Sequence, residues 1–258
     1  IVAWLAVNSI PDAVQLLALA QTQLHYGLSA FELISKACLD LVLHHFQNSK
    51  SPLDKSSEWN ILLELSSSES AQSAHHQLTV FLEKALEQGL IQDGIISQSE
   101  QQLKQLWSLR ENISEAQARE GKNIKHDVAL PISKIAEFVE STEKQLKQAF
   151  PEIQLICFGH LGDGNLHFNV SLKNSLKNPA AQEQLLANQE AINLLTHNQV
   201  ALLNGSISAE HGLGVLRRDE AARYKSKVEL LLMAQIKKAL DPFNLMNPGK
   251  VIHPDLLL

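Results

Sequence analysis

Two hydrophobic periods alternate along the chain, and they predict its secondary structure. The opening run IVAWLAV is continuously apolar and predicts a strand. The stretch Ser9-Ile-Pro-Asp12 offers a capping serine and an acidic residue in the first turn, and the apolar residues after it have helical spacing, so a first helix begins there. Residues 29–47 predict a second helix, with His44 and His45 near its end as exposed residues.

Later segments repeat a combination of strands and helices. Residues 59–65 and the segment IQDGIIS predict strands on either side of a capped helix, and an amphipathic helix is predicted over residues 99–120. Further along, KHDVALP predicts a short strand, PISKIAEFVESTEKQLKQAF a helix, and QLICFGH and NLHFNV two more strands. Because two such sets are present, we predict an α+β fold with helices on one face of a ferredoxin-like antiparallel sheet.

A C-terminal helical tail is predicted beyond this sheet. Helices are expected over residues 179–203 and 228–240, separated by the polar turn NGSISAEHGLG and followed by the loop DPFNLMNPGKVIHP. Seven of the eleven glycines lie in the last hundred residues, which favours tight turns and close ligand approach there. We therefore divide the chain into N-terminal linking helices (1–50), an antiparallel-sheet domain (51–180) and a C-terminal helical segment (181–258).

Composition narrows the class of protein. A chain of 258 residues can bury a full core, and its formal net charge of −6 argues against nucleic-acid binding. Cys38 and Cys157 are the only cysteines, which indicates a reducing compartment without a disulfide framework. No apolar run reaches the roughly 18 residues of a membrane span, so we expect a soluble, cytoplasmic protein. Because the sequence begins at Ile1 in an apolar run, we expect it to be part of a longer polypeptide.

Two histidines flank a glycine-rich turn in the segment CFGHLGDGNLHFNV. The period of a strand sends Asn165, His167 and Asn169 to one face, opposite the apolar residues. His160 ends the preceding strand, and the turn can bring it beside His167. Two imidazoles at one end of a sheet provide half of a transition-metal site, but for these two histidines alone the favoured interpretation is a hydrogen-bonded turn with two partly buried histidines.

A second polar cluster, SISAEHGLG, shifts the interpretation toward a metal site. Glu210 can supply a third, oxygen ligand, and a His2Glu set leaves coordination positions open for a substrate. His211 would then point elsewhere, because neighbouring residues seldom share one metal, and it would be free to act as a base. Such a site also suits an activated water, so a metal-dependent hydrolase is one alternative function.

Three further polar residues lie upstream. Arg110 and Ser114 are four residues apart on the predicted helix, and Lys125 follows the turn after it. Arginine presents a planar fork to a carboxylate and lysine a point charge. Each of them alone reads as an ordinary solvated side chain, so only their convergence in space would make a site.

The chain resembles the C-terminal, substrate-binding half of FAD-linked oxidases and dehydrogenases that act on D-2-hydroxy acids. The motifs that carry the resemblance are GHLGDGNLHFNV, SISAEHGLG and DPFNLMNPGKV, in that order, with weaker similarity in LSAFELISKACLDLV and LREN…KHDVALPIS. The D-2-hydroxyglutarate and D-lactate dehydrogenases are familiar members. The FAD-binding domain that normally precedes this region has no counterpart in residues 1–258.

The resemblance implies a role for each motif residue. A divalent metal, commonly zinc, is bound by the motif histidines and glutamate, and the histidine after the glutamate is the general base. A serine stands where the family usually has a threonine. The implied assignments are metal ligands His160, His167 and Glu210; base His211; substrate contacts Arg110, Ser114, Lys125 and Asn169; and flavin neighbours Asn247 and Lys250.

The predicted function is the oxidation of a D-2-hydroxy acid to the 2-oxo acid. FAD would be bound mainly by the preceding domain, and an electron acceptor of unknown identity would reoxidise it. Two cations beside the substrate favour D-2-hydroxyglutarate or D-malate over D-lactate. Besides the hydrolase, a non-catalytic α+β ligand-binding module is an alternative, and the sequence leaves a homodimer open.

Overall fold

Seven short runs rich in Val, Ile, Leu and Phe form one antiparallel sheet in a computed structural model that describes residues 1–68, 70–173 and 178–257. The strand order is β4-β1-β3-β2-β6-β7-β5, and every neighbouring pair is antiparallel. The strands are β1 Val2–Val7, β2 Leu28–Ser35, β3 Trp59–Leu65, β4 Asp93–Ile96, β5 Asp127–Ala129, β6 Ile153–His160 and β7 Asn165–Leu172.

Ten α-helices connect or flank these strands within the described residues. Several begin at the serine caps that the sequence offers: Ser9, Ser70 and Ser99 each accept a hydrogen bond from a backbone N–H in the first turn of their helix. The helices are α1 Ile10–Leu24, α2 Lys36–His45, α3 Ala71–Glu87, α4 Glu100–Glu111, α5 Ile113–Glu120, α6 Ile135–Ala149, α7 Pro179–Ala187, α8 Gln189–Leu202, α9 Arg218–Tyr224 and α10 Lys227–Leu240.

The ferredoxin-like prediction is confirmed, and the connectivity occurs twice. Strands β1 to β4 with α1 and α3 follow the order β-α-β-β-α-β, and α2 is inserted between β2 and β3. In the second half, β5, α6, β6, β7 and α8 repeat the pattern, and Ser206 forms a single bridge beside Ala129 where a fourth strand would lie. The two halves meet through the β2–β6 pair.

Residues 29–47 correct one prediction, because they are a strand followed by a helix. Residues 31–35 of β2 are all buried, because Phe31 and Leu33 lie in the core on one face of the sheet and Ile34 lies in the core on the other face. A strand buried on both faces loses the strict alternation that marks a half-exposed strand, so the apolar run of β2 gives no strand signal and the sequence predicts a helix there. Residues 1–50 therefore contribute the strands β1 and β2 to the sheet and are not only linking helices.

Helices cover both faces of the sheet, so the prediction of helices on one face is wrong. Helices α1, α3, α6 and α8 contribute to a large core with the side chains of one face. On the other face, α2, α4 and α5 pack against a smaller core that includes Trp4, Ile34 and Ile156. The predicted helix over 99–120 is divided at Asn112, and that over 179–203 at Asn188.

Candidate metal and substrate site

Polar side chains of β5, β6 and β7 share the face that carries the smaller core. Leu166, Phe168 and Val170 of β7 are buried in the large core, so Asn165 and His167 face the other way, as the period of two predicts. His160 is the last residue of β6, as expected, and a 3-10 turn at Leu161–Asp163 connects the strand to β7. The two histidines consequently line one cleft.

The cleft has a volume of about 320 Å³ and lies between this sheet face, α4, α5 and the loop around Glu210. A larger cleft of about 840 Å³ lies between α4 and the segment after α2, and none of the predicted site residues lines it. Eight predicted site residues line the smaller cleft: Arg110, Ser114, Lys125, His160, His167, Asn169, Glu210 and His211.

Four side chains in the cleft bring potential ligand atoms within 4.8 Å of one another: Asp127, His167, Glu210 and His211. His167 Nε2 lies 3.3 Å from Glu210 Oε1. Two ligands that each lie about 2.0–2.1 Å from a tetrahedral zinc are separated by about 3.3 Å. The donors and their spacing therefore fit a shared divalent cation.

His160 lines the same cleft but does not belong to that group of four. Its Nδ1 is hydrogen-bonded to Glu32, whose other carboxylate oxygen accepts from Arg110 Nε at 2.7 Å. Burial alone would raise the pKa of Glu32, yet the His160 hydrogen bond and the Arg110 charge together lower it. The hydrogen bond to Glu32 in turn raises the pKa of His160.

Asp127 holds the loop that carries Glu210 and His211. Its Oδ2 accepts hydrogen bonds from the backbone N–H groups of Ala209, Glu210 and His211 at 3.2, 3.0 and 2.8 Å. Successive N–H groups that converge on one anion form a backbone nest. The loop has no helical or strand periodicity, so the hydrogen bonds to this carboxylate fix the backbone that carries Glu210 and His211 beside His167.

The two histidines near Glu210 differ in environment. Burial lowers the pKa of His167, and the positive charge of Arg110 lowers it further, so its imidazole is neutral and able to coordinate a metal. The side chain of His211 is 63% exposed, and its Nδ1 and Nε2 lie 3.6 Å from Asp127 Oδ2 and Glu210 Oε1. His211 is thus the more accessible imidazole of the pair.

The predicted substrate residues reach the cleft from different elements. Arg110 is on α4 and Ser114 on α5, across the break at Asn112, and the Arg110 guanidinium lies 4.7 Å from the centre of the Phe158 ring. Lys125 precedes β5, and Arg217 donates to its carbonyl oxygen at 2.6 Å. Their convergence, which the sequence could only suggest, is present in the fold.

Asn169 is almost completely enclosed. Its Nδ2 donates to Gln117 Oε1 at 3.0 Å, and its Oδ1 accepts from the backbone N–H of His126 at 3.2 Å. The amide therefore also ties α5 and the segment before β5 to β7.

The closing loop lies outside the cleft. Asn247 has a left-handed backbone with a φ of 48° and lines an apolar hollow beside α10, and Gly249, next to Lys250, accepts from Arg218 through its carbonyl oxygen. Neither Asn247 nor Lys250 lines the cleft that contains the histidines.

His44 and His45 were predicted to be exposed, and this is correct only for His44. The side chain of His45 is 13% exposed, and its Nε2 lies 2.7 Å from a carboxylate oxygen of Glu120. These three residues form the second group of potential metal ligands among the described residues.

Comparison with known families matches residues 1–251 to the family of FAD linked oxidases, C-terminal domain. The chain belongs to this family. A D-2-hydroxyglutarate dehydrogenase of Xanthomonas citri pv. viticola is 37% identical over 249 residues, which cover 96% of this chain and 50% of that protein. The mitochondrial D-2-hydroxyglutarate dehydrogenase of Arabidopsis thaliana is 36% identical over 254 residues, with coverages of 98% and 43%.

A solved structure shares the fold of this FAD-linked oxidase domain. The crystal structure of p-cresol methylhydroxylase with substrate bound matches with a TM-score of 0.67 at 10% identity, covering 98% of this chain and 53% of that chain. The domain spans about half the length of its curated relatives. Both of those relatives are named D-2-hydroxyglutarate dehydrogenases.

Within the described ranges, the FAD-linked oxidase domain has no helix that combines the length and apolar character of a membrane span. The cytoplasmic location stays a prediction, and one relative is named as a mitochondrial protein.

Proposed function

We propose that this domain binds the substrate and a divalent metal in an FAD-dependent dehydrogenase that oxidises a D-2-hydroxy acid to the 2-oxo acid. The observation that carries the proposal is the convergence of three cationic or hydroxyl side chains with the candidate ligands and His211 in one cleft. These residues are separated by up to about a hundred positions in the sequence, so the fold itself brings them together.

The candidate metal ligands are His160, His167 and Glu210. The 3.3 Å separation of His167 Nε2 and Glu210 Oε1 suits one cation, and His160 lines the same cleft from the end of the neighbouring strand. A bound zinc ion would supply Lewis acidity toward the 2-hydroxyl and the C1 carboxylate of the substrate.

The substrate is proposed to be bound by the positively charged side chains of the cleft, Arg110 and Lys125. Arg110 donates to Glu32 through Nε–H, which is one of the five N–H donors of the guanidinium. The other four can donate to a substrate carboxylate. Lys125 adds a second positive charge, and Ser114 a hydroxyl. Two cations in one small cleft favour a dicarboxylate such as D-2-hydroxyglutarate or D-malate over D-lactate, and the names of the relatives support the first of these.

His211 is the proposed base. Its imidazole is the exposed one beside the candidate ligands, so it can take the proton of the substrate 2-hydroxyl. FAD, held by the remainder of the enzyme, would supply the acceptor for the two electrons of the oxidation. Asn247 and Lys250 are proposed to lie near that flavin.

The test uses the full-length, FAD-containing enzyme with an artificial electron acceptor. We expect turnover of D-2-hydroxyglutarate or D-malate at a higher kcat/KM than D-lactate. Replacing the base, His211→Asn, should lower kcat by about 10²- to 10⁴-fold, whereas His76→Asn on the exposed surface of α3 should leave it unchanged. Oxidation of none of the three acids, or an unaltered kcat in His211→Asn, would contradict the proposal.

A further inference from the structure

Each candidate histidine ligand lies directly opposite an acidic residue on the adjoining strand. The register of β2 and β6 pairs Glu32 with His160, and that of β5 and β7 pairs Asp127 with His167. Directly opposed residues of antiparallel strands have Cβ atoms about 4.5–5.5 Å apart, within reach of a carboxylate and an imidazole. The sheet therefore supplies one carboxylate for each imidazole, on the same face.

Glu32 is fixed between two positively polarised partners. It is only 2% exposed, one of its oxygens is bonded to His160 Nδ1, and the other accepts from Arg110 Nε at 2.7 Å. A carboxylate oxygen only accepts, so the shared proton of the first bond resides with Nδ1. His160 Nε2 then remains as the second nitrogen of the ring, on an imidazole that lines the cleft.

Asp127 stands to His167 as Glu32 stands to His160, but the distance between the carboxylate and the imidazole is longer. Its Oδ2 is occupied by the three backbone N–H groups of residues 209–211. Its Oδ1 is buried without a hydrogen-bond partner in the described part of the chain, and it lies 3.9 Å from His167 Nδ1. A buried oxygen without a donor is costly, and a small rotation of the His167 ring would supply one. His167 Nε2 already faces Glu210.

We propose that Glu32 and Asp127 are paired positioning residues, each holding Nδ1–H of one histidine so that Nε2 is presented to the metal. The inference rests on the proposed function, which assigns His160 and His167 as ligands. A carboxylate behind a ligating imidazole fixes the tautomer and the ring orientation and increases ligand basicity. Glu32 is also hydrogen-bonded to Arg110, so it sets the distance between the ligand His160 and the guanidinium that is proposed to bind the substrate.

Replacement by the amide tests the tautomer in each pair. In Glu32→Gln, Arg110 Nε still requires an acceptor, so the amide oxygen turns to Arg110 and the NH2 group faces His160 Nδ1. That nitrogen must then accept, which moves the ring proton to Nε2 and blocks coordination there. In Asp127→Asn the amide oxygen stays with the three backbone N–H groups, and the NH2 group faces His167 Nδ1 in the same way.

Two measurements on the full chain distinguish this role from a general loss of structure. Zinc affinity, measured by competition with a chelator, should fall about 10- to 100-fold in Glu32→Gln and in Asp127→Asn. Nitrogen-15 NMR of the metal-free protein should show the Nδ1–H tautomer for His160 and His167 in the wild type, and the Nε2–H tautomer for the opposed histidine in each variant. Asp93→Asn, an exposed carboxylate on β4, is the matched control and should change neither quantity.

Unchanged zinc affinity in both variants, or histidines that keep the Nδ1–H tautomer in them, would overturn the positioning role. A variant that is merely destabilised would bind zinc less well without the change of tautomer, and this also counts against it. If the wild type binds no zinc, the proposed function loses its metal. The tautomers of the metal-free protein still decide whether the two carboxylates position the rings.

Discussion

His126 is completely buried beside the cleft and ties three segments together. Its Nδ1 donates to the Phe168 carbonyl oxygen at 2.8 Å, and its Nε2 lies 2.9 Å from the Asn193 side chain. Burial, reinforced by the charge of neighbouring His197, lowers the pKa of His126 to about 3. The ring is therefore neutral at physiological pH, and it links β7 to α8 directly behind the candidate site.

A neutral buried histidine makes the stability depend on pH. An unfolded histidine titrates near pH 6.5, so the unfolded chain binds the extra proton between pH 6.5 and the folded pKa of about 3. The contribution is fully present above about pH 6.5 and is lost as the pH falls toward 3, with a slope approaching about 1.4 kcal/mol per pH unit. Urea unfolding at pH 7.5, 6 and 5 measures it.

His126→Gln removes the titrating ring, so its free energy of unfolding should fall less steeply between pH 7.5 and 5 than that of the wild type. His76→Asn, at an exposed position, should keep the wild-type slope. Parallel slopes in wild type and His126→Gln would show that His126 is protonated in the folded state.

The site residues that the sequence reveals are those in local motifs. His160, His167, Glu210 and His211 stand in short polar runs whose composition is unusual for a solvated surface. Glu32 carries no such signal, because it is 128 residues from His160 and lies in a segment predicted as a helix. Only the strand register brings the two together.

The β6–β7 hairpin is the element on which the site depends. Its turn ends at Gly164, which has a φ of 79°, and a Cβ there would overlap the Leu130 carbonyl oxygen. Gly164 also accepts a hydrogen bond from the backbone N–H of Leu130 at 3.0 Å, which connects the turn to the end of β5. The turn therefore sets the positions of His160 and His167 relative to one another.

Gly164→Ala should destabilise the protein by roughly 1–3 kcal/mol from the strained backbone alone, and more from the overlap, and should lower zinc affinity because the two histidines move apart. Gly162→Ala in the same turn is the matched control, since a Cβ there meets nothing within 4 Å. Thermal unfolding and zinc titration of both variants measure the effect. Equal stability of the two variants would contradict the role of the Gly164 conformation.

Elements with a clear period or a good cap could be predicted, and those shaped by their neighbours could not. Helix α1 begins after its serine cap, and α10 has a complete capping box formed by Ser226 and Glu229. The pattern of β2 predicts a helix because both faces of this strand are buried, one in each core of the domain. No proline or glycine marks the break at Asn112, so the sequence predicts a single helix there. In the structure Arg110 belongs to α4 and Ser114 to α5.

At the scale of the whole molecule, the cleft lies beside the seam between the two ferredoxin-like halves. Glu32 comes from β2 of the first half and His160 from β6 of the second, and these strands form the joining pair. Glu210 belongs to the segment after α8, which is held to β5 through Asp127. A cation bound by His160, His167 and Glu210 would connect the second half to the C-terminal segment, and it would reach the first half through the hydrogen bond between His160 and Glu32.

Metal binding should consequently stabilise the entire fold. A ligand that binds only the folded state adds about 2.7 kcal/mol at 100 times its Kd, and for a chain of this size each kcal/mol raises Tm by about 2–4 °C. We expect zinc to raise Tm by roughly 5–10 °C over a chelator-treated sample. Elemental analysis should show one zinc per chain, and His167→Ala should abolish both the zinc and the shift in Tm.

His44→Ala is the matched control, because it removes a histidine from the other group of potential ligands. His44 and His45 are neighbours on a helix, which seldom serve one metal together, and the Arg119 guanidinium donates to the His45 carbonyl oxygen. This variant should therefore retain one zinc and the full shift in Tm. If His44→Ala lost the zinc and His167→Ala kept it, the metal would belong to the surface group between α2 and α5, and the cleft would have to bind its substrate without a cation.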